Sequence, residues 1–437
     1  MNVTWIASRA DATMVRQQIG AAKGSAGAPN LLLSDRLDQT WRGFGGCFNE
    51  MGWKMLTSLP ASRREGIIRD FFAPSGGFQF TYCRMPIGAN DYALSWYSHN
   101  EHDGDFAMRR FSIEHDRQWL IPYIRSALRY CPNMTLFASP WSPPTWLKDP
   151  PVYNYGKVIQ QKKHLQAYAL YFLKFVQAYA AEGIRIAQVH FQNEPMADQK
   201  FPSCLWTGAE MRNFMRDNLG PLFQRKSPET ELWLGTLNGG GLEPQNSYND
   251  YAGLVLNDPR TRRYIRGISY QWSGRTAIQK THYAWPDMPL IQSENECGEG
   301  DNTWEYAFYI CDLFQHYITN GVSGYIYWNM VLPPGGVSTW GWKQNAMITV
   351  DPVTGRVVRN PEYYVMKHFA GYIRPGMRRI VLEGEWAAHA VAFRGAGRTV
   401  IVAKNGFPYA APLRVAAGGE RVQCMLQPRS INTFVIA

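Results

Sequence analysis

No run of five or more Lys or Arg residues occurs anywhere in the 437 residues, although these basic residues outnumber Asp and Glu by 45 to 35. A formal charge of +10 spread this thinly argues against nucleic acid as a partner. It reads as surface solubility, with an anionic cell-surface or matrix partner as the lesser alternative. No window approaches 18 consecutive apolar residues, so no membrane span is expected. The opening Met-Asn-Val-Thr-Trp-Ile lacks a basic region followed by an apolar run. No signal peptide is therefore expected, and cytoplasm and export with a removed signal both stay open. The seven cysteines, Cys47, Cys83, Cys131, Cys204, Cys297, Cys311 and Cys424, are an odd number without Cys-x-x-Cys spacing, which excludes a zinc knuckle and argues against a disulfide framework. No internal repeat or low-complexity segment is present, and oligomeric state has no signature.

What is present is a large apolar and aromatic content. Hydrophobic residues make up 45% and aromatics 14%, with 16 Trp and 24 Tyr, against 18% charged residues. A large core explains most of the rings; a cleft paved for sugar faces explains others, so each must be argued by position.

From Trp41 onward, short apolar segments alternate with longer amphipathic ones, the pattern of repeated strand-helix units on a parallel sheet. Eight candidate strands stand out: 43–48, 80–86, 135–140, 186–194, 232–236, 268–271, 290–294 and 325–330. Eight closes a barrel. The clearest helical patterns cover 110–130, 161–182, 208–222, 303–319 and 362–370, with Gly183 as a stop and Thr207 with Glu210 as a capping box. Alternating runs between Gly-rich turns fill 378–437 and predict a small antiparallel sandwich that residues 1–40 complete. The expected fold is thus α/β, a (β/α)8 TIM barrel over 41–375 with a side β-sandwich built from both termini, 1–40 and 376–437.

The stretch from Ala187 to Pro195, Ala-Gln-Val-His-Phe-Gln-Asn-Glu-Pro, begins as an apolar strand and ends in an amide, a carboxylate and a proline. Strand alternation predicts His190, Gln192 and Glu194 on one face and Val189, Phe191 and Asn193 on the other. Proline ends the ladder, leaving Glu194 at the carboxyl end of strand four, where such barrels place their chemistry. The plainer reading is a satisfied strand-end carboxylate. A second apolar strand, Leu-Ile-Gln-Ser-Glu, ends in Glu294 on strand seven. Two carboxylates facing one barrel mouth, about 5 to 5.5 Å apart, are what retaining glycoside hydrolysis requires. Asn193 beside the acid is suited to a sugar 2-hydroxyl.

Arg42-Gly-Phe-Gly-Gly-Cys-Phe-Asn49, Ala138-Ser-Pro-Trp-Ser-Pro-Pro-Thr-Trp-Leu-Lys148, Phe191-Gln-Asn-Glu-Pro195, Gln292-Ser-Glu-Asn-Glu-Cys-Gly298 and Tyr327-Trp-Asn329 with the following Pro-Gly-Gly, in this order, closely resemble the glucosylceramidase family, glycoside hydrolase family 30. The resemblance implies a retaining β-glycosidase with Glu194 as acid/base and Glu294 as nucleophile. It further implies Arg84 near the catalytic pair, Asp91 as a sugar-hydroxyl ligand, Trp141 lining the sugar site and Trp328 as its floor. Asn193, Gln271, Glu296 and Trp340 complete the expected sugar-binding set. Glu296, two residues beyond Glu294, competes weakly for the nucleophile role and is otherwise a supporting carboxylate or a hydroxyl ligand. One departure is visible: where many members carry His-Trp-Tyr after strand six, this chain has Gln271-Trp272-Ser273, leaving either Tyr270 or another phenol to take the missing tyrosine's place or a pocket that selects a different sugar.

The implied substrate is a β-glucoside or β-1,6-glucan, with β-fucosides, β-galactosides and β-xylosides as alternatives. No metal or cofactor is expected. Glu294, Glu296, Glu299 and Asp301 are crowded, but they lack the spacing of a hard-cation loop, and His-Glu-x-x-His is absent. A non-catalytic sugar-binding protein would share the aromatic groove without needing both carboxylates.

Overall fold

A computed structural model of the chain describes residues 2–18, 27–241, 250–417 and 420–437. Eight parallel strands close a barrel in chain order: β1 (Gly43–Cys47), β2 (Tyr82–Ile87), β3 (Thr135–Pro140), β4 (Gln188–His190), β5 (Glu231–Leu237), β6 (Ile265–Gln271), β7 (Leu290–Glu294) and β8 (Val322–Asn329). β8 pairs back onto β1. The glycines of β1 let its backbone approach β2 closely; a Cβ at Gly45 would lie 1.8 Å from the Tyr82 carbonyl oxygen.

Inside the barrel, Tyr82, Phe137, Trp233, Ile291 and Ile326 form a buried apolar plug. Side chains repeat every second residue along a strand, so the next inward positions on β2, β3 and β8 are Arg84, Ser139 and Trp328. The plug is the floor of the site, and this next layer faces the mouth.

β4 is shorter than the predicted 186–194. Its pattern stops at His190 because the following amides scatter between neighbours: Phe191, Gln192 and Glu194 donate to the carbonyls of Trp233, Gly235 and Thr236, whereas Asn193 donates to that of Pro140. Glu194 sits at φ 45°. The expected alternation therefore ends before the site, which frees Asn193 and Glu194 to serve it from the same segment.

Two predicted helices are interrupted, both beside proline. The 110–130 pattern resolves into Glu114–Gln118 and Leu120–Leu128, broken at Trp119; Pro122 has no N–H to return to the 118 carbonyl, and the amides of Arg109 and Arg110 are taken by Asp105. The 208–222 pattern starts on the predicted Thr207–Glu210 capping box and passes through a π turn at Met215–Leu219, just before Pro221 removes another ladder donor. Helices Lys162–Ala181, Trp304–Thr319 and Pro361–Ala370 form where the periodicity placed them.

Both termini build one nine-stranded sheet. Val3–Arg9 pairs with Ser430–Ile436, while Leu31–Thr40 lies between Arg378–Glu383 and Ala411–Ala417. Its two halves fold over a shared core containing Trp5, Phe434, Leu413 and Leu426, so the sheet is its own sandwich. Alternation along Ala390–Gly395 directs Ala390 and Ala392 into that core, and Val391 and Phe393 into the barrel's core. His368, on the last helix, bridges Ser8 Oγ and Thr433 Oγ1 at 2.8 Å each, tying the barrel to both chain ends. All seven thiols are unpaired. Among the described residues, no helix is long and apolar enough to cross a membrane.

Candidate active site

Arg84 is fully buried in the middle of β2 rather than at its end, and its guanidinium organises the barrel mouth. Nη1 donates to Glu294 Oε2 at 2.7 Å and to the Ser293 carbonyl at 3.2 Å. Nε and Nη2 both donate to Ser139 Oγ, and Nη2 also reaches Asn193 Oδ1 at 2.6 Å and Thr236 Oγ1 at 3.0 Å. Trp141 and Trp328 flank its plane, with ring centroids 4.6 and 4.9 Å from the guanidinium carbon. A planar cation with five donors, held on all sides, fixes the carboxylate it faces.

Gln271 supplies the second donor to that carboxylate. Its amide lies 2.9 Å from Glu294 Oε2, 2.7 Å from Asn193 Oδ1 and 3.2 Å from Thr236 Oγ1. Two donors thus pin Oε2 of Glu294, and no hydrogen bond engages Oε1 among the described residues. Asn193 Oδ1 accepts from Arg84, Gln271 and Thr236, which fixes the oxygen end of its amide and turns the nitrogen elsewhere.

Tyr270 does not take the place of the missing tyrosine. Its hydroxyl pairs with Thr281 at 2.6 Å, on the helix Arg275–Ala284, and the side chain of this segment that reaches Glu294 is Gln271. Gln271→Leu should therefore lower kcat by about 10- to 100-fold, the usual reach of one preorganised donor, with binding of the free sugar less affected. Steady-state rates on an aryl β-glucoside would show the effect; an unchanged kcat would remove Gln271 from the charge-holding network.

A cleft of about 980 Å³ opens above this layer, and Asp91, Trp141, Glu194 and Glu294 all line it. Asp91 accepts the Trp328 indole N–H at 3.2 Å through Oδ2, while its buried Oδ1 has no partner among the described residues. Trp141 and Trp328 face each other with centroids 5.3 Å apart. Three carboxyls share the positive charge of Arg84, and burial raises the pKa of each. Burial, reinforced by Asp91, lifts Glu194 to about 7 against the pull of Arg84. Asp91 is likewise lifted to about 7 by burial, opposed by the Trp328 hydrogen bond and by Arg84. Burial also raises Glu294, opposed first by Arg84 and then reinforced by Glu194 and Asp91. The three titrate as one set, and Arg84 opposes the rise in each.

Of the other expected residues, Glu296 lies at the cleft wall, accepting from Tyr309 at 2.7 Å with Arg275 at 3.7 Å. Trp340 packs instead on Trp96, with centroids 4.7 Å apart, while Trp342, two residues on, lines the cleft. His190 is a packed strand residue, sandwiched between Phe137 and Trp233. Sequence reasoning passed over Ser139, Thr236 and the Gln199–Phe201 segment. The first two carried a usable signal, a hydroxyl near the carboxyl end of an apolar strand; the third carried none.

The sequence profile of the Glycosyl hydrolase family 30 TIM-barrel domain matches residues 41–373. The chain belongs to glycoside hydrolase family 30. It is 27% identical over 432 residues to the lysosomal acid glucosylceramidase of Mus musculus, covering 91% of this chain and 82% of that protein. It is 24% identical over 419 residues to an endo-1,6-β-D-glucanase of Neurospora crassa, covering 91% and 85%. SrfJ from Salmonella typhimurium superposes with a TM-score of 0.90 at 26% identity, covering 100% of this chain and 99% of that one. This family 30 chain is therefore a glycoside hydrolase, and a carbohydrate substrate fits that family.

Proposed function

We propose that the protein is a retaining β-glycosidase acting on β-linked glucosides or β-1,6-glucan, with Glu294 as nucleophile and Glu194 as acid/base. The observation that carries this reading is the asymmetry of the two acids. Glu294 is ion-paired to Arg84 at 2.7 Å, whereas Glu194 lines the same cleft with no ion pair among the described residues. One carboxyl is stabilised as an anion and the other is kept protonated, the division of labour that double displacement needs.

With Oε2 held by Arg84 and Gln271, Oε1 of Glu294 attacks the anomeric carbon while Glu194 gives its proton to the departing oxygen. Forming the ester removes the charge of Glu294. The raised affinity of Glu194 for a proton then falls, and it becomes the base that activates water. Asn193 offers its amide nitrogen to the 2-hydroxyl, Asp91 its unpartnered oxygen to another hydroxyl, and Trp328 a floor for the ring. The names of the glucosylceramidase and endo-1,6-β-D-glucanase relatives support glucose as the sugar. A division of the chain near residues 40 and 376 accompanies this reading, the barrel carrying the site and the terminal strands supporting it.

Proton NMR of the first product tests the mechanism, using β-1,6-gluco-oligosaccharides beside aryl β-glucoside, β-xyloside, β-galactoside and β-fucoside. Initial β-anomer from the glucosides is expected; initial α-anomer would overturn the assigned roles. The pH dependence follows with its sign. Glu194 must be protonated to act as acid, so kcat/KM should fall as pH rises through about 7. A profile still rising above pH 8 would exclude Glu194 as the acid.

A further inference from the structure

The far wall of the cleft is built by two loops from different strands. The segment after Glu194 is tied back at once, Ala197 donating to the Glu194 carbonyl and Trp206 to that of Pro195, and it carries Lys200 and Phe201 into the cleft lining. Opposite, the chain after β8 makes a tight turn in which the Ser338 and Trp342 backbones are bonded, Ser338 Oγ accepts the Trp342 amide, and Gly341 takes φ 73°. That turn sets Trp342 edge-to-face against Phe201, centroids 5.5 Å apart, with the Lys200 ammonium 6.0 Å from the indole. The Trp342 indole N–H is buried and has no acceptor among the described residues.

We propose that Phe201, Lys200 and Trp342 form the leaving-group subsite and that it is shaped for a sugar rather than a lipid. This rests on the roles proposed for Glu194 and Glu294: the departing oxygen lies beside Glu194, so the group attached to it extends toward the loop that Glu194 shares with Phe201. Trp342, backed by the buried Phe201, offers apolar area for a sugar face, and the exposed Lys200 ammonium offers donors to its hydroxyls. The rest of the mouth is charged. Lys343, Glu299 and Asp301 line it exposed, and none of them is ion-paired among the described residues. Acyl chains laid here would strip water from those charges, whereas a hydroxylated leaving group keeps them solvated and bonded. A half-buried ring beside an exposed ammonium, in a charged rim, selects polyols.

The test compares kcat/KM for a β-1,6-gluco-oligosaccharide, an aryl β-glucoside and glucosylceramide in mixed micelles. The wild type should prefer the oligosaccharide to the glycolipid. Trp342→Ala should lower the oligosaccharide-to-aryl ratio by about 10- to 50-fold, the reach of one lost stacking ring, and Trp342→Phe should recover most of it. An unchanged ratio in Trp342→Ala, or faster turnover of glucosylceramide than of the oligosaccharide, would overturn the subsite. If the wild type cleaves neither the aryl β-glucoside nor the β-1,6-gluco-oligosaccharide, the glucosidase reading fails and takes this inference with it.

Discussion

Glu294→Ala is expected to reduce turnover of every β-glucoside by on the order of 10⁵-fold if Glu294 is the nucleophile, as proposed, since among the described residues no other carboxylate lining the cleft is ion-paired to Arg84. The fold should survive. Arg84 keeps acceptors at Ser139, Asn193, Thr236 and the Ser293 carbonyl, so the loss of one carboxylate leaves the guanidinium bonded. The decisive readout is rescue by azide. A small anion entering the space left by the side chain attacks from below the ring, and the product should be the α-glycosyl azide. A near-normal rate without azide would exclude Glu294, and rate loss at Glu296 instead would transfer the role two residues on. That transfer runs against the structure, in which Glu296 is spent on Tyr309 and Arg275 at the wall.

Glu194→Ala should behave differently, and the difference assigns the second role. Without an acid, departure of a sugar leaving group should slow by about 10³- to 10⁴-fold, while a strongly acidic aryl leaving group departs unaided. The glycosyl-enzyme then accumulates for want of a base. Azide attacking from the face that Glu194 vacated should accelerate turnover and give the β-glycosyl azide. Equal losses on both leaving groups would count against Glu194 as acid/base. The site also carries a stability cost that titration reveals. Glu194 holds its proton up to about pH 7 in the fold, against an ordinary 4.5, so the folded state binds that proton more tightly than the unfolded chain. Stability is therefore lost as pH rises between those values. Glu194→Gln, permanently neutral, should raise Tm more at pH 8 than at pH 5; a gain larger at pH 5 would contradict the assigned shift.

Much of the barrel was legible because each strand is an apolar run bounded by an amphipathic helix, and seven of the eight predicted strands fall on the observed ones, although β6 and β8 each begin three residues before the predicted start. The exception, β4, is instructive. The 186–194 pattern looks like one strand, yet the backbone leaves its ladder after His190 because its neighbours β3 and β5 present carbonyls out of register. Alternation would have sent Asn193 away from Glu194. The irregular segment brings both to the site.

The sequence by itself determined the chemistry available: two carboxylates ending two apolar runs, an arginine within a third, and an asparagine beside one acid, in motifs specific enough to name a family. It also showed, in Gln271-Trp272-Ser273, that whatever reaches Glu294 from the end of strand six is not the tyrosine many members carry there. Only the tertiary structure decided what that is, since Gln271 and Glu294 meet across a β6–β7 pairing that no local pattern encodes. The same holds for Trp340 and Trp342. Both belong to one loop, and either could have faced the sugar. Closure of the Ser338–Trp342 turn against Phe201, a residue about 140 positions away, settles that Trp342 enters the cleft while Trp340 stacks on Trp96. Residue type follows from local chemistry, but orientation in loops is set by long-range contacts between strands and loops distant in the chain, and those are made only when the barrel closes.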